Sequence, residues 1–168
     1  MNPKSSISRW LVALLLLAPI LPIQMAFSAE PQTNGNERQT VVVLGDSLAA
    51  GFGLDLSEAF PALLQKKIEA AGLKFSVVNA GISGDTSAGG LRRIDWLLKR
   101  RVDVLVLELG GNDGLRGIPV GVTRTNLQSI IDRTKQKYPQ AQVVVAGMQM
   151  PPNMGAEYNA AFERIFPD

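Results

Sequence analysis

The segment Val41-Val42-Val43-Leu44-Gly45-Asp46-Ser47 places a hydroxyl directly after an apolar run. A serine in that position attacks a carbonyl carbon when a base removes its proton. The oxyanion so formed has to be met by fixed donors, and loss of one donor costs about 2.7–4 kcal/mol of transition-state stabilisation. Two further segments supply donors of the right kind: Asn79 to Ser87 (NAGISGDTS) and Gly110 to Gly114 (GGNDG), both rich in glycine and small polar residues. Ser47 and Gly84 offer backbone N–H groups and Asn112 offers a side-chain amide, so the three segments together hold the parts of an acyl-transfer site. Gly84 lacks a Cβ and lets the backbone come close to a reacting carbon. Asp46, Asp85 and Asp113 lie in the same segments, but a solvated carboxylate titrating near pH 4 is a weak base toward a serine hydroxyl. Their expected task is to hydrogen-bond and shape the loops.

For these segments to meet, each has to leave the same end of the elements that carry it. Val41 to Leu44, Phe75 to Val78, Val104 to Leu109 and Val143 to Ala146 are short, apolar on both faces and rich in β-branched residues or leucine, the pattern of strands in a covered parallel sheet. Helical spacing lies between them. Phe60, Leu63, Leu64 and Ile68 recur on one face and stop at Gly72, a suitable residue after a helix end. Leu91, Ile94, Leu97 and Leu98 follow Thr86 and Ser87, either of which suits an N-cap. Leu127, Ile130, Ile131 and Thr134 run toward Pro139, and Tyr158, Ala161, Phe162, Ile165 and Phe166 form a last helical pattern. Alternation of strand and helix predicts an α/β three-layer sandwich with a parallel sheet joined by right-handed crossovers. In such sheets the site lies beyond the carboxyl ends of the strands, where the three polar segments fall.

Composition narrows the function. Met1 to Arg9 carries Lys4 and Arg9 without an acid, Trp10 to Leu17 is apolar, and Ala26-Phe27-Ser28-Ala29 has the small residues of a cleavage site. Residues 1–28 therefore read as a secretory signal peptide and 29–39 as a polar linker. The alternative, an uncleaved membrane anchor, is opposed by Pro19 and Pro22 and by the length of about 20 apolar residues that a span requires. With no cysteine there is no lipoprotein anchor and no disulfide, and the expected location is periplasmic or secreted, without a stable membrane anchor after cleavage. Without Lys4 and Arg9 the 17 basic residues fall to the same number as the 15 acidic ones, which gives no support to nucleic acid as a partner. No histidine is present, so imidazole ligation of a metal is impossible, and neither a metal nor another cofactor is expected.

Other features have plainer readings. Arg92, Arg93, Lys99, Arg100 and Arg101 read as a solvated helix face, with the last three near a helix C-terminus that favours cations. Leu115, Arg116, Ile118 and Pro119 serve either as a rim for an acyl chain or as a simple connection. Met148, Met150 and Met154 read as core or loop filling rather than as lipid contacts. No glycine-rich phosphate cradle follows the first strand, which opposes a nucleotide-binding domain. The Gly-x-Ser-x-Gly elbow of α/β-hydrolases is also missing.

The blocks VVVLGDSLAAGFGL (41–54), VVNAGISGDTSAGGL (77–91) and VLELGGNDGLRG (106–117) stand in one order along the chain. Together they resemble the SGNH, or GDSL, hydrolases, and within them the periplasmic bacterial branch with acyl-CoA thioesterase, lysophospholipase and arylesterase activities. The similarity extends from about Val41 to Pro167. It implies that Ser47 is the nucleophile, that Gly84 and Asn112 complete the oxyanion hole beside the Ser47 amide, and that the substrate is a small-molecule ester or thioester, including lipid-derived ones. It also implies a flavodoxin-like sheet of order 2-1-3-4-5. The family's Asp-x-x-His block has no counterpart here, so the expected sheet is 2-1-3-4 with the fifth strand missing, within a C-terminally incomplete domain 40–168. The expectations that follow are an apolar edge at the fourth strand, poor expression and negligible esterase activity of the 168-residue chain by itself. A catalytically inactive acyl- or carbohydrate-binding protein is the alternative, because no histidine is available as the base.

Overall fold

The computed structural model describes residues 37–166. The expected signal peptide and all but the last three residues of the expected linker lie outside the described residues. Four strands form one parallel sheet in the order β2-β1-β3-β4: β1 (Gln39–Gly45), β2 (Phe75–Gly81), β3 (Val104–Glu108) and β4 (Gln142–Val145). The α/β architecture and strand order agree with the expectation. β1 begins at the last residue assigned to the linker, and β2 runs three residues beyond Val78, so the polar segment after it is shorter than the sequence suggested.

Among the described residues, five α-helices lie between the strands, α1 (Ser47–Ala50), α2 (Phe60–Ala70), α3 (Ser87–Leu97), α4 (Gly111–Leu115) and α5 (Val120–Lys137), and α6 (Ala156–Glu163) follows β4. A right-handed crossover from β1 to β2 runs opposite in direction to those from β2 to β3 and β3 to β4, which puts α2 on one face and α3 and α5 on the other. On the α3 and α5 face, Val42, Leu44, Leu105 and Leu107 pack with Ile94, Leu97, Leu127 and Ile130 in the main core. α3 is capped by Thr86, whose Oγ1 accepts the Gly89 N–H at 3.2 Å; of the two residues able to cap, the backbone selects Thr86 and buries Ser87. α2 lies along β2, where Gln65 satisfies the free sheet edge by donating to the Phe75 carbonyl at 3.4 Å and accepting the Val77 N–H at 2.7 Å.

The face that carries Val43, Val106 and Val144 departs from the expectation of strands covered on both sides. These three residues are level across the sheet, yet Val43 is buried, Val106 half-buried and Val144 52% exposed. The cause is that α2 sits at β2, the opposite edge from β4. Met148 and Met150 lie against Gly111 and Gly114 of α4 and so fill the loop after β4.

The asymmetry is measurable by urea denaturation of the 168-residue chain. Leu107→Ala, at a fully buried site, should cost about 2–5 kcal/mol, whereas Val144→Ala should change stability by less than about 0.5 kcal/mol. Equal losses would mean that both faces of the sheet are packed alike.

Candidate active site

β1 turns into α1 with no intervening loop, and Ser47 is the first residue of that helix. Asp46 caps it: its Oδ1 accepts the Leu48 N–H at 3.0 Å. Gly45 is required by space rather than by backbone angle, since a Cβ there would overlap the Glu108 carboxyl group and the Ala49 methyl. From β2, Asn79 donates its amide to the Ala49 carbonyl at 2.7 Å and so holds the far end of the short helix. The Ser47 hydroxyl is half-buried and has no hydrogen bond among the described residues.

Asn112 brings the three segments together. Its Nδ2 donates to Asp46 Oδ2 at 3.1 Å and to the Asp85 carbonyl at 2.9 Å. One contact is therefore with the residue before Ser47 and the other with the residue after Gly84. Both hydrogens of the amide are engaged. Gly84 is exposed on the rim at φ +79°, a conformation that suits glycine, and its carbonyl accepts Arg116 Nη2 at 3.0 Å. Asp113, in contrast, turns away from Ser47. Its carboxylate accepts the Ser87 N–H at 2.8 Å, the Ser87 hydroxyl at 2.5 Å and the Thr123 hydroxyl at 3.4 Å, which ties α4 to α3 and α5. Asp85 likewise holds donors, accepting the Thr86 N–H at 3.1 Å and Arg93 Nε at 2.8 Å. Among the described residues no cluster of acidic, histidine or cysteine side chains could hold a metal ion.

Ser47, Gly84 and Asn112 all fall within residues 43–166, which match the GDSL-like lipase/acylhydrolase family. The chain belongs to this family. Esterase TesA of Pseudomonas aeruginosa is 46% identical over 129 residues, which make up 76% of this chain and 63% of that protein. Thioesterase 1/protease 1/lysophospholipase L1 of Escherichia coli is also 46% identical over 129 residues, 76% of this chain and 60% of that protein. The crystal structure of AlinE4, an SGNH-hydrolase family esterase, superposes with a TM-score of 0.74 at 39% identity and covers 78% of this chain and 70% of that one. The chain spans about 60% of the length of the two curated relatives it matches here.

Two residues at this candidate site do not stand out in the sequence. The sequence places Arg93 on a solvated helix face, but its guanidinium is mostly buried and reaches three acceptors: Asp85 Oδ2 at 2.8 Å, the Ala80 carbonyl at 2.6 Å and the Gly45 carbonyl at 3.0 Å. It ties the ends of β1 and β2 to the loop that carries Gly84. The signal available was spacing, since Arg93 lies one residue before the core residue Ile94 and eight after Asp85. Glu108 lies within what the sequence presents as an apolar strand. Burial pushes its carboxyl up from 4.5 to about 7, with the Asp46 charge adding to the rise and N–H donors from Asp46 and Ala49 opposing it. A lone acid inside the run Val104 to Leu109 was the signal for it.

Two outcomes follow from these contacts. Arg93→Lys keeps the charge but not the planar fork, so it should recover little of the stability lost in Arg93→Ala, which leaves buried acceptors unpaired at about 1–3 kcal/mol; thermal unfolding of both variants measures this. Glu108 binds a proton more tightly folded than unfolded, so its contribution to stability is complete below pH 4.5 and is lost as pH rises through about 7. The wild type should therefore lose up to about 3 kcal/mol relative to Glu108→Gln between those limits, read from urea midpoints across pH; parallel curves would refute the raised value.

Proposed function

We propose that this chain carries the nucleophile and oxyanion donors of a serine ester hydrolase that works through an acyl-enzyme on Ser47. The observation that carries the reading is the Asn112 amide, which lies within hydrogen-bond distance of the neighbours of both Ser47 and Gly84. Ser47 Oγ attacks the carbonyl carbon, and the oxyanion is met by the N–H groups of Ser47 and Gly84 and by Asn112 Nδ2. The alcohol or thiol leaves as the intermediate collapses, and water releases the acid. Leu48, Ile82 and Leu115 supply one exposed apolar side chain from each of the three segments, a surface suited to an acyl chain. The names of the relatives point to esters, thioesters and lysophospholipids as substrate classes, and membership of the family supports the same chemistry here.

The proton on Ser47 needs a base that these 168 residues do not contain, since histidine is absent and the carboxylate of Asp46 is held by Leu48 and Asn112. We assign that role to the histidine of the family's Asp-x-x-His block. The same absence favours a second reading for this polypeptide taken alone, an acyl- or carbohydrate-binding protein without turnover. An in-frame Asp-x-x-His beyond codon 168 supports the first reading; a stop codon there supports the second. Residues 1–28 support export to the periplasm or the medium, and among the described residues no helix is long and apolar enough to cross a membrane.

Assayed on p-nitrophenyl butyrate with that block present, Ser47→Ala should lower kcat by roughly 10^4-fold or more. Asn112→Ala should lower kcat by about 10^2–10^3-fold with little change in KM. Hydrolysis that survives Ser47→Ala would sink the assignment.

A further inference from the structure

The carboxyl group of Glu108 stands directly beneath the Ser47 turn and takes no part in the chemistry described above. Glu108 closes β3 and is 4% exposed. Its Oε2 accepts the Asp46 N–H at 3.2 Å and the Ala49 N–H at 3.3 Å, the two amides that flank Ser47 and Leu48. Its Oε1 is also buried and has no hydrogen-bond partner among the described residues. Asp46, equally buried, uses its carboxylate differently: Oδ1 accepts from Leu48 and Oδ2 from Asn112. Two buried carboxyl groups therefore belong to one turn, Glu108 Oε2 accepting the backbone N–H of Asp46 itself. One has donors on both oxygens, and the other has a bare one. Two adjacent buried carboxylates cannot both keep their charge at ordinary cost, and the group with the bare oxygen is the one on which a proton leaves no acceptor unsatisfied.

We propose that Glu108 and Asp46 hold one proton between them, with Glu108 Oε1–H donating to the Asp46 carboxylate, and that this acid–carboxylate pair positions the Ser47 turn and the Asn112 amide. The pair carries one negative charge. Loss of its proton would set a second charge against the first and push Asp46 away from the place where it holds Asn112 Nδ2. Glu108 is thus a positioning residue, acting on the nucleophile through two backbone amides and on the oxyanion donor through Asp46. Other charged groups near the pair are already committed. Arg93 of α3 reaches the Gly45 carbonyl and is paired with Asp85. Asp113 of α4 is turned to Ser87 and Thr123, and α1 carries no charge. The direction of the Glu108 titration, raised by burial first and by Asp46 second, agrees with the pairing. The consequence for catalysis rests on the proposed roles of Ser47 and Asn112; the pairing itself does not.

Carboxyl-carbon NMR of the whole protein tests the pairing without turnover. With Glu108 labelled, its signal should titrate near neutrality, and the side-chain amide of Asn112 should shift with the same midpoint. In Glu108→Gln, whose amide replaces the acid proton, the Asn112 step should vanish. In Asp46→Asn, the Glu108 midpoint should fall by about one pH unit or more. A Glu108 midpoint below about pH 5, or an Asn112 step that persists in Glu108→Gln, overturns the proposal. On p-nitrophenyl butyrate with the Asp-x-x-His block present, Glu108→Ala should lose kcat rather than KM, and Glu108→Gln should recover about tenfold or more of that loss; equal loss in both variants would remove the positioning role. Failure of the Ser47 reading is seen separately, as activity that survives Ser47→Ala while the NMR steps remain.

Discussion

β1 lies between β2 and β3 in parallel register, and the rest of the site depends on that placement. Gly45 is level with Gly81 on one side and with Glu108 on the other. Three strands therefore end on one line, and the segments that follow them leave from one rim. An antiparallel neighbour would have sent its loop to the opposite end of the sheet, and no choice of loop residues could then have brought Asn112 to Asp46. The register also limits what β1 may carry at its end. The chain turns into α1 immediately above the Glu108 carboxyl group, so Gly45 has no room for a side chain.

The rim is built from buried polar groups, and their charges have to be balanced locally. Asp46, Glu108 and Asp113 are all buried, and a carboxylate in such a place costs several kcal/mol unless donors surround it. The donors here are mainly backbone amides, hydroxyls and the Asn112 amide rather than cations. Two cations are bound into the rim among the described residues: Arg93 is shared among a carboxylate and two carbonyls, and Arg116 donates to the Gly84 carbonyl. Neutral donors fixed by strands and helix ends cannot follow a charge as water does. That rigidity suits the proposed oxyanion role, because donors already in place need no reorganisation when charge develops. The apolar core on the α3 and α5 face offsets the cost of holding them.

Strand positions were legible because Val41 to Leu44 and Val104 to Leu107 are apolar without interruption, and the helices because Ile94, Leu97, Leu127 and Ile130 repeat at helical spacing. Ser47, Gly84 and Asn112 could be singled out because each follows a strand in a segment with little else to do. The remaining features depend on neighbours distant in sequence. Arg93 and Arg92 look alike in the chain, and only the meeting of β1, β2 and α3 gives Arg93 three acceptors. Glu108 sits in a strand pattern that hides it, and its partner is 62 residues away. The four-residue α1 and five-residue α4 are too short to show periodicity and are fixed by tight turns and side-chain contacts. Exposure of Val144 follows from where α2 packs, which the composition of β4 does not report.

Under the role proposed for Asn112, its occupied state carries a mechanistic consequence. Its Nδ2 has two hydrogens, and both already meet acceptors, the Asp46 carboxylate and the Asp85 carbonyl. A substrate carbonyl is about as good an acceptor as the Asp85 carbonyl, so exchanging one for the other in the ground state gains little. An oxyanion is a stronger acceptor than either carbonyl, and the exchange becomes favourable as negative charge forms on the reacting oxygen. The Asp46 contact, itself to a charged group, would be kept and would hold the amide in place while the other hydrogen changes partner. An interaction of this kind stabilises the transition state more than the bound substrate, which is the condition for raising kcat rather than merely lowering KM.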